Sequence, residues 1–83
     1  MPLSRAELAR ACDLALADDW AGAHAIVQAD EQDPVSCWIH AVLHKVEGDV
    51  SNARYWYGKA GRFFESYPEP STELRAIKAT LTY

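Results

Sequence analysis

The segment Gly48-Asp49-Val50-Ser51-Asn52-Ala53-Arg54-Tyr55-Trp56-Tyr57-Gly58-Lys59-Ala60 constrains the fold more than any other part of this sequence. It opens with a turn residue and a helix cap. Its small and aromatic residues then recur at helical spacing, so that Ala53, Trp56, Tyr57 and Ala60 share a face that continues to Phe63 and Phe64. The alanines let a neighbouring backbone come close, and the rings fill the space around it. The segment reads as the second half of a helical hairpin built to stack on its neighbours. A fainter copy lies thirty residues earlier, where Asp19-Trp20-Ala21-Gly22-Ala23 stands in place of Asp49-Val50-Ser51-Asn52-Ala53.

The other boundaries are equally local. Ser4 and Glu7 have the spacing of a reciprocal capping box, and Leu3 with Leu8 can close a hydrophobic staple, which predicts a first helix from Ser4. Its stripe of Leu8, Ala11, Cys12, Ala15 and Leu16 is interrupted at Asp18-Asp19, before a second helix containing Trp20, Ala23, Ile26 and Val27. Asp33-Pro34 caps and opens a third helix, on which Val35, Trp38, Ile39, Val42, Leu43 and Val46 lie on one face. Gly48 ends that helix. Pro68 and Pro70 break the pattern after the fourth, and Leu74, Ile77 and Leu81 give a short last helix a stripe that can cover the second hairpin.

On Gly48-Asp49, Ala53, Tyr57 and Ala60 the chain resembles the tetratricopeptide-type, or closely related Sel1-type, helical repeats. These residues occupy the family's inter-helix turn, early small residue, aromatic and second small residue. The first hairpin matches through Asp19, Trp20 and Ala23, with Val27 at the aromatic position and Asp30 at a small one. Pro34 and Pro68 fall near the inter-repeat proline, while the glycine of the family's first helix falls at Ala41. The fold expected is all-α: two antiparallel hairpins, over 4–32 and 34–67, in a tetratricopeptide-like stack, with a capping helix over 71–81 in one small domain. The resemblance implies a non-catalytic adaptor that holds a protein or peptide. Three or more repeats normally build a sizeable groove, so a chain with two offers a small surface or completes it by self-association.

Composition narrows the classes further. With 83 residues, 49% apolar and 11% aromatic, the chain can fold as one small domain with large rings in its core. Charged and polar residues interrupt every apolar run before membrane-spanning length, and the start Met1-Pro2-Leu3-Ser4-Arg5 lacks the organisation of a secretion signal, so cytoplasmic residence is expected. A net charge of −4, with eight Lys plus Arg spread along the chain, gives no footprint for nucleic acid. Cys12 and Cys37 read as buried free thiols, and no cofactor is expected.

Helix three carries the sharpest chemistry. Cys37, His40, His44 and Glu47 follow at spacings of three, four and three, on the face opposite Trp38, Val42 and Val46. The preferred reading makes His40 and His44 partner-contacting residues on the open side of the hairpin, joined by Tyr55, Arg54 and Arg62, which lie off the aromatic stripe. The alternative is a metal site on Cys37, His40, His44 and Glu47, with Cys12 or His24 as further ligands across the bundle. That set lacks paired Cys-x-x-Cys or His-Glu-x-x-His spacing. A metal-dependent hydrolase or a Cys37-His40 nucleophile is the lesser expectation, since an oxyanion site and a cleft would have to come from the same short chain. Asp30, Glu31 and Asp33 are read as boundary residues with a capping role.

Overall fold

The computed structural model describes residues 2–81, and among them all regular structure is helical. Helices α1 (Arg5–Leu16) and α2 (Trp20–Val27) form the first hairpin, α3 (Pro34–Glu47) and α4 (Val50–Ala60) the second. A 3₁₀ turn (Phe64–Ser66) leads to α5 (Pro70–Leu81), which packs on α1 and α3.

The caps form where the local chemistry requires them. Ser4 and Glu7 exchange both capping-box bonds at 3.1 Å. Asp33 accepts from the amides of Val35 and Ser36 at 2.7 and 3.1 Å, with Pro34 at the first helical position. Gly48 ends α3 at φ 85°, a left-handed conformation that costs glycine little, and Asp49 caps α4 by accepting from Asn52 at 3.3 Å.

Helix α3 lies at the centre. Every residue from Ser36 to His44 is buried, because α4, α5, α1 and α2 cover it on all sides. Leu8, Ala11 and Cys12 from α1, Ala23 and Val27 from α2, Ala53, Trp56 and Tyr57 from α4, and Leu74 and Ile77 from α5 complete one continuous core. The small residues Ala11, Ala23, Ala41 and Ala53 are wholly buried at the helix contacts, where they let the backbones approach.

Two stripe expectations are corrected at their ends. Val46 is 53% exposed, beside a hollow left between α1 and α5, and Phe63 is 73% exposed. Gly61 ends α4 in the left-handed conformation, so Phe63 leaves the helical period while Phe64 turns back against the core.

One polar group in the core has no precedent in the stripe pattern. Glu73, on α5, is fully buried. Its carboxylate accepts from Trp38 Nε1 at 2.9 Å, from the Tyr57 hydroxyl at 2.7 and 2.9 Å and from Lys45 Nζ at 2.9 Å. Lys45 also donates to the carbonyls of Phe64 and Tyr67 at 2.9 and 3.0 Å, so the same pair fixes the connection between α4 and α5. Burial, and then the hydrogen bond to Glu73, push the Tyr57 hydroxyl above its ordinary pKa. Both oxygens of this carboxylate are partnered, which is the condition under which a buried carboxylate is tolerated. Replacing Glu73 by Ala strands a lysine, an indole and a phenol together. The expected loss in urea unfolding is about 3–5 kcal/mol, against less than about 1 kcal/mol for breaking the exposed pair of Lys78 and Asp13 by Asp13→Asn.

Candidate functional site

The middle of the 3-4-3 stripe of α3, His40 and His44, faces α2 and the Trp56 ring of α4 rather than an open surface, while Glu47 at its end stays exposed. His40 and His44 are therefore buried, at 3% and 6% exposure, where an open face had been expected. They meet His24, the one histidine of α2, whose ring centroid lies 4.8 Å from that of His40 and 5.5 Å from that of His44. His40 and His44 stack at 5.1 Å. One potential ligand atom from each of the three lies within 4.8 Å of the others. The chain contains three histidines, and all of them are here.

Indole rings wall the cluster. Trp20 stacks on His24 at 4.4 Å and Trp56 on His40 at 3.8 Å, while Trp20 Nε1 donates to the Leu43 carbonyl at 2.7 Å and holds α2 against α3. Behind His44, Glu47 Oε1 lies 2.7 Å from Nδ1; a neutral ring meets it by donating Nδ1–H, which leaves the lone pair on Nε2. His40 Nδ1 is buried with no hydrogen-bond partner among the described residues. Burial, then the neighbouring His24, His44 and Lys59, lower the His40 pKa to about 4. Burial and His44 lower that of His24, and Glu47 opposes them.

Cys37 does not join this cluster. Its thiol is buried and donates to the Glu31 carbonyl at 3.4 Å, and burial raises its pKa, so it stays a protonated thiol. Nor does the boundary carboxylate Asp30 converge on it: Asp30 accepts from the amides of Leu3, Gln32 and Asp33, which hold its pKa below the ordinary range. The metal-ligand candidates of the sequence thus divide, with His40, His44 and Glu47 brought together, His24 added from α2, and Cys37 set apart.

The remaining candidates lie around α4. Tyr55 is 58% exposed, its ring edge-on to Trp56. Arg54 pairs with Glu65 at 2.6 Å, a hydrogen bond that raises its pKa, and lies over the Phe64 ring. The Arg62 guanidinium stacks 3.9 Å over Trp38 and makes no ion pair among the described residues. Both arginines border one open hollow of about 240 Å³, floored by Tyr57 and Gly58 and walled by Phe63, Phe64 and Glu65.

No family model, curated protein or solved structure matches this chain. The side chains themselves therefore carry the functional reading.

The histidine cluster has a direct acid signature in metal-free protein. The unfolded chain, with His40 near its ordinary 6.5, takes up the proton before the folded chain does at about 4. The stability from this group is complete above pH 6.5, falls as the pH drops and is gone below about 4; His24 acts in the same direction. Unfolding free energies across this window should drop by up to about 3 kcal/mol more in the native sequence than in His40→Phe. Equal slopes would assign the loss to the carboxylates instead.

Proposed function

We propose that this chain is a non-catalytic interaction module that binds an acidic peptide segment along the outer side of α4. The observation that carries this reading is the segregation of charge beside exposed aromatic surface. In a chain of net charge −4, residues 50–63 hold three of the eight basic residues, Arg54, Lys59 and Arg62, and no Asp or Glu; Glu65, just beyond, lines the same hollow and pairs with Arg54, which leaves Arg62 and Lys59 as the cations without an ion pair there among the described residues. Tyr55 and Phe63 are exposed within the same segment, and the hollow over Gly58 lies between the two arginines. A Cβ built on Gly58 would meet nothing within 4 Å, so a ligand backbone can approach the helix there.

The mechanism is docking without bond making. An apolar or aromatic side chain enters the hollow between Phe63 and Phe64, and a neighbouring carboxylate meets Arg62, which stacking on Trp38 already holds in place. The stacked helical hairpins are compatible with the reading, since rigid helical scaffolds offer fixed surfaces for docking. Cytoplasmic residence belongs to the same proposal. His40 and His44, expected among the contact residues, are too buried to take part, and the surface reduces to Tyr55, Arg54, Arg62 and their ring neighbours.

Selection from a random displayed peptide library should enrich sequences with an Asp or Glu beside a large apolar residue. Their affinity should fall about tenfold or more in Arg62→Glu and in Phe63→Ser, with the melting temperature of Phe63→Ser unchanged. Enrichment without acidic residues, or binding indifferent to both substitutions, contradicts the proposal. A second copy of the chain on this surface would appear instead as a dimer in sedimentation that Phe63→Ser dissociates.

A further inference from the structure

We propose that His24, His40 and His44 form a binding site for one late first-row divalent metal ion, with zinc as the reference case. The site is independent of the α4 surface and uses none of its residues.

Geometry is the first support. With Zn–N bonds near 2.1 Å, the centroids of imidazoles around one tetrahedral ion lie roughly 5 Å apart. The three centroid separations here are 4.8, 5.1 and 5.5 Å. Ligand nitrogens on such an ion stand roughly 3.4 Å from one another, against the 4.8 Å within which the candidate atoms lie in the metal-free chain. Closing that gap takes a shift of at most about 1.4 Å. His24 is the ring able to make it, being the partly exposed member of the three.

The state of the individual nitrogens is the second support. His40 is 3% exposed, yet its Nδ1 has no hydrogen-bond partner among the described residues. A purely structural ring at this position, stacked on Trp56, gains nothing from a nitrogen that burial has stripped of water, and an apolar ring would pack as well. His44 has the opposite arrangement, with Nδ1 held by Glu47 at 2.7 Å. A carboxylate behind a histidine fixes its tautomer and raises its basicity as a ligand, and the free Nε2 is the atom left for an ion.

The donor set decides the class of metal. Three imidazole nitrogens suit zinc, copper, nickel or cobalt and do not suit magnesium or calcium, which require oxygen ligands. A competing set of His44, Glu47 and Asp49 shares His44. Its carboxylates are already committed, Glu47 to His44 and Asp49 to the cap of α4. Three protein ligands leave one position on the ion for water or an external group. With ligands from α2 and α3, a bound ion would also tie the two hairpins together.

Titration of the metal-free, full-length chain with zinc chloride in a non-chelating buffer, followed by native mass spectrometry, tests the proposal. One ion per chain is expected, together with a zinc-dependent rise in melting temperature and a cobalt(II) complex with the visible spectrum of tetrahedral coordination. His24→Ala, at a partly exposed position, should weaken binding more than about tenfold while the metal-free chain stays folded, and Glu47→Gln by about tenfold. Doubly substituted Cys12→Ala, Cys37→Ala protein should bind as the native chain does. Absence of binding at 100-fold molar excess of zinc overturns the site (about that excess sufficing to load even a weak three-ligand centre at micromolar protein). Binding that survives His24→Ala, or that disappears with the cysteines, overturns it equally.

Discussion

The buried carboxylate of Glu73 is the interaction on which the rest of the structure depends. An ionised group in a core this small would be strongly destabilising without partners. Here it accepts from Trp38 and Lys45 on α3 and from Tyr57 on α4, and it belongs to α5 itself. Three helices are therefore referred to one point. Lys45 extends the arrangement through the carbonyls of Phe64 and Tyr67, so the chain between α4 and α5 has a fixed course. That course places Phe63 outside, Phe64 inside and Arg62 over Trp38, and the α4 surface follows from it. Apolar packing would hold α5 against the bundle in several registers of similar energy, whereas a single carboxylate with directional donors favours one.

A second polar seam occupies the opposite flank of α3. The imidazoles of His24, His40 and His44 are layered between Trp20 and Trp56, and the bond from Trp20 Nε1 to the Leu43 carbonyl fixes the distance between α2 and α3. The two seams differ in completeness. Both Glu73 oxygens have donors, while in the histidine seam His40 Nδ1 has no partner among the described residues. A matched buried network specifies structure; an unmatched nitrogen beside two other imidazoles is the observation from which the proposed metal site is argued.

Much of the fold was legible because its signals are local. The Ser4 box, Asp33-Pro34, and Gly48-Asp49 each determine a boundary through a few neighbouring amides, and all formed as read. What could not be read from local pattern was that α3 would be surrounded. A polar stripe at 3-4-3 spacing looks like an exposed face until one knows that α2 covers it, and that knowledge depends on the packing of two hairpins. His40 and His44 were consequently assigned to the surface, and Cys37 was grouped with them although its thiol turns toward Glu31. The exposure of Tyr55 and Arg54 was legible, since residues off the apolar stripe of an outer helix stay outside however the bundle closes, and Arg62 lies exposed just beyond the end of that helix. One further signal lies in the sequence itself: Glu73 stands four residues before Ile77 and eight before Leu81, in register with the apolar stripe of α5. A carboxylate in that register implies a buried partner.

The most direct test of this account is hydrogen exchange at the indole Nε1–H of Trp38, followed by NMR as denaturant is added. If the Glu73 network organises the core, this proton exchanges only when the whole chain unfolds, at the rate of the slowest α3 amides and with the same dependence on denaturant. Exchange that is fast and insensitive to denaturant would mean that α5 detaches locally and that Glu73 does not hold the fold together.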